Sequence, residues 1–228
     1  MKKEIKNNQK NNEIEYKLIL LGDTSVGKTC LFKKITQGIF VNKNVSTVGI
    51  DRKTFKIEYD LEKNGKTLTK TIIINLIDTA GEERFKSITK SYYKDSDGAV
   101  LLYDITEKNS FIHVKDWINS IKNSLSHIED DKYSIFLIGT KIDLIENGKR
   151  LREVELEDAK NKCEELGIYW GGECSNKEFT KEKYIEIFKG FVKIIYSKIG
   201  NKDFASQSIV KLEIKPKKKH NNCPCIIF

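Results

Sequence analysis

Two hydrophobic periods alternate along this chain, and the switching between them sets out its plan. YKLILL (16–21) is a continuous apolar run ended by Gly22 and a turn, with a helical pattern starting near Lys28. TFKIEY and KTIIINLI come next, separated by DLEKNGKTLT. The Asn64-Gly65 pair in that separator is a strong hairpin signal, so the two runs are expected to be antiparallel neighbours. AVLLYD (99–104), SIFLIG (134–139) and GIYWGGEC (167–174) are further strand-like runs, each behind a helix-like stretch. Between Lys181 and Ile199, Tyr184, Ile185, Ile187, Phe188, Phe191, Val192, Ile194 and Ile195 recur at helical spacing, with Gly200 as the expected cap. Strands alternating with helices predict an α/β fold. Its sheet should be mostly parallel, covered on both faces, with ligands at the strands' C-terminal ends.

Composition narrows the field of partners. The chain has 228 residues, 39% hydrophobic and 32% charged, which suits one globular domain with extensions. Its formal charge is +8, but from Asn201 onward six lysines stand against Asp203 and Glu213, so half of the excess lies in the tail. A basic tail suits an anionic membrane, and nucleic acid is not the expected partner. Five sparsely spaced cysteines fit neither a disulfide framework nor a zinc site and favour a reducing compartment. No apolar run approaches the ~18 residues of a membrane span. The opening MKKEIKNNQKNNEIE lacks the apolar core of a signal peptide, and Lys2 excludes N-myristoylation. The expected organisation is a mobile extension over 1–14, one domain over 15–199 and a flexible basic tail over 200–228.

Candidate chemistry sits at the strand ends. GDTSVGKT (22–29) fits G-x-x-x-x-G-K-[ST] between a strand and a helix. Its glycines let backbone N–H groups face phosphates, Lys28 can reach the β- and γ-phosphates, and Thr29 offers a hydroxyl to Mg²⁺. Asp78 ends the run TIIINLI and can meet the Mg²⁺ shell opposite Thr29, and Gly81 can supply an N–H to the γ-phosphate. Taken alone, Asp78 to Gly81 reads equally well as a strand-ending turn. In TKID (140–143), the Asp143 carboxylate can accept from guanine N1–H and the exocyclic amine, and Lys141 can lie along the purine. ECSNK (173–177) can offer backbone N–H groups to guanine O6.

GDTSVGKTCLF, STVGID (46–51), DTAGEERF (78–85), ITKSYYKDSDGAVLLYDIT (88–106) and GTKIDL (139–144) follow one another in an order that resembles a small GTPase of the Ras superfamily, and within it the Rab branch. The resemblance spans about residues 14–199. It implies the P-loop GTPase fold with a six-stranded, mostly parallel sheet, and a switch that binds GTP or GDP with Mg²⁺ and hydrolyses GTP. By the same resemblance the phosphate loop is Gly22, Asp23, Thr24, Ser25, Val26, Gly27, Lys28, Thr29 and Cys30. Phe40 covers the guanine ring, and Thr47 completes the Mg²⁺ shell beside Thr29 and Asp78. Thr140, Lys141 and Asp143 meet the base, as do Ser175, Asn176 and Lys177. Exchange factors, GTPase-activating proteins, GDP-dissociation inhibitors and effectors are the implied partners, and vesicle traffic is the implied setting.

This chain departs from the pattern at informative places. Glu82 stands where the family has its water-orienting glutamine. A carboxylate accepts from the attacking water but cannot donate to the phosphate, and it adds a charge. At ~4–5 Å and an effective dielectric near 20, that charge costs on the order of 3–4 kcal/mol before screening. A third of it slows hydrolysis about fivefold. Slow turnover is therefore expected, and a GTP-bound scaffold with little or no hydrolysis is the alternative. Thr140 replaces the family's common asparagine and is expected to weaken both the guanine N7 contact and the tie to the phosphate loop. Asn176 replaces an alanine whose backbone makes the contact, with little expected effect. Arg52, Ile77 and Tyr92 occupy the Rab aromatic triad, so the effector surface is expected to be atypical.

The terminal Cys225-Ile226-Ile227-Phe228 fits C-a-a-X, and its Phe favours geranylgeranylation. Cys223 can carry a second lipid. One chain binds membranes only reversibly, and Lys215, Lys217, Lys218 and Lys219 can supply the second signal, ~1 kcal/mol each. Two other function classes, a P-loop nucleotide kinase or ATPase and a basic nucleic-acid binder, fit DTAG, TKID and the placement of the charge less well.

Overall fold

The computed structural model describes residues 13–41, 49–63, 66–79, 92–125 and 133–199. The strands are β1 (Glu13–Leu21), β2 (Ile50–Lys63), β3 (Lys66–Thr79), β4 (Gly98–Asp104), β5 (Ser134–Thr140) and β6 (Tyr169–Cys174). They form one sheet in the order β2-β3-β1-β4-β5-β6. Only β2 is antiparallel, pairing with β3 from Ile50↔Thr79 to Lys63↔Lys66; the other pairings are parallel. That is the expected sheet, with its antiparallel pair where Asn64-Gly65 signalled a turn; those two residues lie outside the described ones.

β1 begins at Glu13, ahead of the apolar run YKLILL. Thr71–Ile73 of the long β3 offer Glu13–Glu15 a ladder to join, and the two glutamates point to solvent. Tertiary pairing thus extends a strand into residues whose own pattern is polar.

Helices α1 (Lys28–Gln37), α2 (Lys108–Ile112), α3 (Val114–Ser124), α4 (Ile142–Glu146), α5 (Leu156–Leu166) and α6 (Lys181–Ile199) connect and cover the strands. Side chains alternate across a strand, so Leu18 and Leu20 of β1 enter one core while Ile19 and Leu21 enter the other. The first core takes Leu31, Phe32 and Ile35 from α1 with Phe188, Phe191, Val192 and Ile195 from α6. The second takes Trp117, Ile118 and Ile121 from α3 with Ala159 and Cys163 from α5. Every residue of β4 and β5 is buried, which is why both read as unbroken apolar runs.

Gly171 inside β6 has a packing reason. A Cβ there would lie 2.8 Å from Phe191 Cζ and 2.9 Å from Ile138. The Phe191 ring stacks on Phe136 at 4.1 Å between centroids, so it has no room to yield. Parallel pairing meanwhile lines up the C-terminal ends of β1, β3, β4, β5 and β6 along one edge, which is where the candidate chemistry lies.

Urea unfolding should place Phe191→Ala about 3–5 kcal/mol below the wild-type chain. Gly171→Ala should lose about 1–3 kcal/mol by overpacking, with an unchanged m-value.

Candidate nucleotide-binding site

The phosphate loop leaves β1 at Gly22 and enters α1 at Lys28. Gly22 has φ 130°, and a Cβ there would collide with the Leu102 carbonyl of β4. Gly27 has φ 102° and lies against the Asn176 side chain. Only glycine meets both demands without strain. Ser25 takes φ 66° as well, although it carries a side chain, so the loop's own closure holds it in the left-handed region. The first turn of α1 carries no acidic residue and no side-chain cap, so its N–H groups and positive dipole end can serve an anion.

Lys28 is buried, and its Nζ donates to Gly22 O at 2.8 Å and Asp23 O at 2.6 Å. Burial pushes its pKa down to about 8, against the pull of Asp78 and Asp23. Asp23 is clasped from α3 and its N-cap: Trp117 Nε1 donates to Oδ1 at 2.8 Å, and His113 Nδ1, just before the helix, lies 2.6 Å from Oδ2. Thr24 and Ser25 are exposed at the loop's tip.

Asp78, next to last in β3, is only 1% exposed, and among the described residues neither carboxylate oxygen has a partner within hydrogen-bond criteria. Burial raises its pKa to about 6, moderated by the neighbouring Thr29 hydroxyl and by Lys28. An orphaned, buried carboxylate beside a threonine hydroxyl and an anion-binding loop is the donor set a small divalent cation suits. Thr29 and Asp78 fit Mg²⁺. The third expected ligand, Thr47, lies outside the described residues, as do Gly81 and Glu82.

The base-side residues converge beyond β5. Asp143 is buried, and its Oδ1 accepts from Ser175 Oγ at 2.7 Å. The same Ser175 oxygen accepts from Glu178 N at 3.0 Å, which fixes the loop after β6. Lys141 sits at φ 69°, and its Nζ pairs with Asp104 Oδ2 at 2.6 Å. Asp104 ends β4 buried, and its other oxygen accepts from Thr106 N at 2.9 Å and Thr106 Oγ1 at 2.7 Å. A cleft of about 340 Å³ is lined by Gly27, Cys30, Phe40, Lys141, Asp143 and Asn176, with the exposed Lys177 at its edge. That volume lies in the range of small-molecule sites. Cys30 Sγ reaches Val41 O at 3.4 Å and so links α1 to the segment that carries Phe40.

One expectation needs correction. Thr140 keeps the tie to the phosphate loop, because its buried Oγ1 lies 2.7 Å from Val26 O and 2.9 Å from Tyr103 O. The single Thr140 hydroxyl proton is shared between these two carbonyls, one in the phosphate loop and one in β4. Asn176 adds contacts of its own, bonding Gly27 O and Tyr184 through its side chain. On the sheet surface the altered triad has its own contact, with the Arg52 guanidinium 4.7 Å from the Tyr92 ring centroid, while Ile77 is buried.

The Ras family model matches residues 17–197. The chain belongs to the Ras family of small GTPases and is Rab-like. Among similar proteins, the Ras-related protein RABD2a of Arabidopsis thaliana is 39% identical over 160 residues, 69% of this chain and 71% of that protein. The Ras-related protein RIC1 of Oryza sativa subsp. japonica is 34% identical over 93% of this chain and 98% of its own length. RABD1 of Arabidopsis thaliana is 32% identical, covering 94% and 98%.

Several site residues of this small GTPase were not singled out in the sequence. Asp104 could have been, since a carboxylate closing a buried strand repeats the signal of Asp78. His113 and Trp117 reach Asp23 across about ninety positions, and Arg152 meets Glu173 in a bidentate pair at 2.6 and 2.8 Å. No local pattern announces such contacts.

Thr140→Val removes the hydroxyl at nearly constant volume. It should lower stability by about 1–2 kcal/mol in urea titration and speed release of a fluorescent GDP several-fold.

Proposed function

We propose that this Rab-like GTPase is a GTP/GDP-regulated switch on intracellular membranes, in vesicle traffic, with slow GTP hydrolysis. The observation that carries the nucleotide part is the cleft where Asp143, oriented by Ser175, and Lys141, pinned by Asp104, open beside the phosphate loop. The Asp143 carboxylate accepts from guanine N1–H and the exocyclic amine, and adenine lacks that donor pair. Lys141 lays its stem along the purine, Phe40 covers the ring's other side, and backbone groups of Ser175, Asn176 and Lys177 meet O6. The phosphates lie on the N–H groups of residues 22–30 with Lys28 at the β- and γ-positions. Thr29 and Asp78, with Thr47 by the family resemblance, would hold Mg²⁺, which would supply positive charge against the phosphates. By the family resemblance Gly81 would answer to the γ-phosphate, and Glu82 would take the role of the water-orienting glutamine.

Glu82 sets the rate in this reading. It accepts from water but cannot donate to the phosphate, and its charge opposes the anionic transition state. The residue therefore also supports a second reading, a GTP-bound scaffold with little or no turnover. Release after hydrolysis, reloading by an exchange factor, acceleration by an activating protein and extraction by a GDP-dissociation inhibitor would complete the cycle. Effectors would meet a surface in which Arg52 covers Tyr92. Anchoring comes from a prenyl group on Cys225, with Cys223 as a second lipid site and the lysine-rich tail as the electrostatic partner of an anionic leaflet.

Calorimetry with GDP and ADP, with and without Mg²⁺, tests the base reading. Asp143→Ala should lose GDP affinity by about 10²–10⁴-fold, the worth of two charge-assisted hydrogen bonds, with ADP binding unchanged. A chain that treats the two nucleotides alike overturns it. In single-turnover phosphate release, Glu82→Gln should gain about fivefold or more. An unchanged rate would remove Glu82 from the mechanism, and no detectable phosphate from the wild type would favour the scaffold.

A further inference from the structure

Asn176 forms a three-membered chain across the molecule. Its Nδ2 donates to Gly27 O of the phosphate loop at 3.1 Å, and its Oδ1 accepts from Tyr184 Oη of α6 at 2.7 Å. The amide orientation follows from its partners, because a carbonyl oxygen can only accept. Asn176 is 6% exposed and Tyr184 fully buried, so the bond between them is shielded from solvent, while the bond to Gly27 is partly buried at the cleft wall. The contact is close: a Cβ on Gly27 would lie 2.6 Å from Nδ2. Gly27 O also takes the first helical bond of α1, from Leu31 N at 2.9 Å. The carbonyl at the hinge between loop and helix thus receives one donor from its own helix and one from a distant side chain.

We propose that Asn176 is a positioning residue that clasps the phosphate loop to α6 and slows nucleotide release. This rests on the guanine-nucleotide reading of the cleft. The alanine that the family resemblance places at this position can make neither bond. For the nucleotide to leave, the loop must relax from the curl that aims its N–H groups inward, and Gly27 can turn only if the Asn176 amide lets go. Release is thereby coupled to α6, the helix that leads toward the C-terminal tail. The clasp complements Thr140, which holds the adjacent Val26 carbonyl.

The hydroxyl of Tyr184 gives the test its discrimination. In Asn176→Ala the buried Tyr184 O–H loses its oxygen acceptor and keeps only the weak Cys174 sulfur beside it, so stability falls along with the clasp. In the double variant Asn176→Ala/Tyr184→Phe the orphaned hydroxyl is gone, and most of the lost Tm should return. Release of methylanthraniloyl-GDP from the full-length protein should be about fivefold faster than wild type in both variants, whatever the Tm. Tyr184→Phe alone, which leaves Asn176 less firmly oriented, should fall between. A release rate in the double variant within twofold of wild type, or one that recovers together with Tm, would overturn the clasp. A wild-type chain that retains no GDP would overturn the nucleotide reading and the clasp with it.

Discussion

A loop that turns its N–H groups inward to hold an anion must turn its carbonyls outward, and each of those needs a donor. This constraint organises the site. Gly22 and Asp23 carbonyls are met by Lys28, the Val26 carbonyl by Thr140, and the Gly27 carbonyl by Asn176 and Leu31 N–H. The donors come from α1, the end of β5 and the loop after β6. The loop's curl is consequently a property of the whole sheet edge, since buried carbonyls left without donors would cost as much as the fold could spare. Parallel pairing makes this feasible, because it brings β5 and β6 to the same edge as β1.

The same edge sorts its buried carboxylates by partner. Asp104 is paired with Lys141, Glu173 with Arg152, and Asp143 with Ser175. Asp78 is the exception: among the described residues only the neighbouring Thr29 hydroxyl and Lys28 offset its burial, and its pKa is raised. The paired groups hold loops in place, and the unmatched one has the chemistry for a cation. Four acidic side chains along one edge of the sheet therefore do different work, and the difference is set by what packs around each.

Away from the nucleotide cleft, the sheet surface bears the mark of the altered triad. Arg52 takes an aromatic's place and lies over Tyr92, while Ile77 is withdrawn into the second core with Ile19. This face therefore presents a cation over a ring beside a buried aliphatic side chain.

The sequence alone determined the fold class, the strand order's antiparallel exception and the phosphate loop, because each follows from local rules. Period-two and continuous apolar runs mark strands, Asn-Gly marks a hairpin, and a glycine-rich turn before a lysine marks an anion cradle. It also determined the identities at Glu82, Arg52 and the C-terminal cysteines. Tertiary structure decided the rest. Glu13–Glu15 became strand because Thr71–Ile73 lay alongside. Thr140 and Asn176 gained roles that their types did not announce, since a threonine or asparagine side chain bonds whatever carbonyl the fold brings within reach. Asp23 met His113 and Trp117, and Asn176 met Gly27 about 150 residues away, through folding of the whole sheet. Contacts of such separation have no period and no motif, so only the assembled chain reveals them.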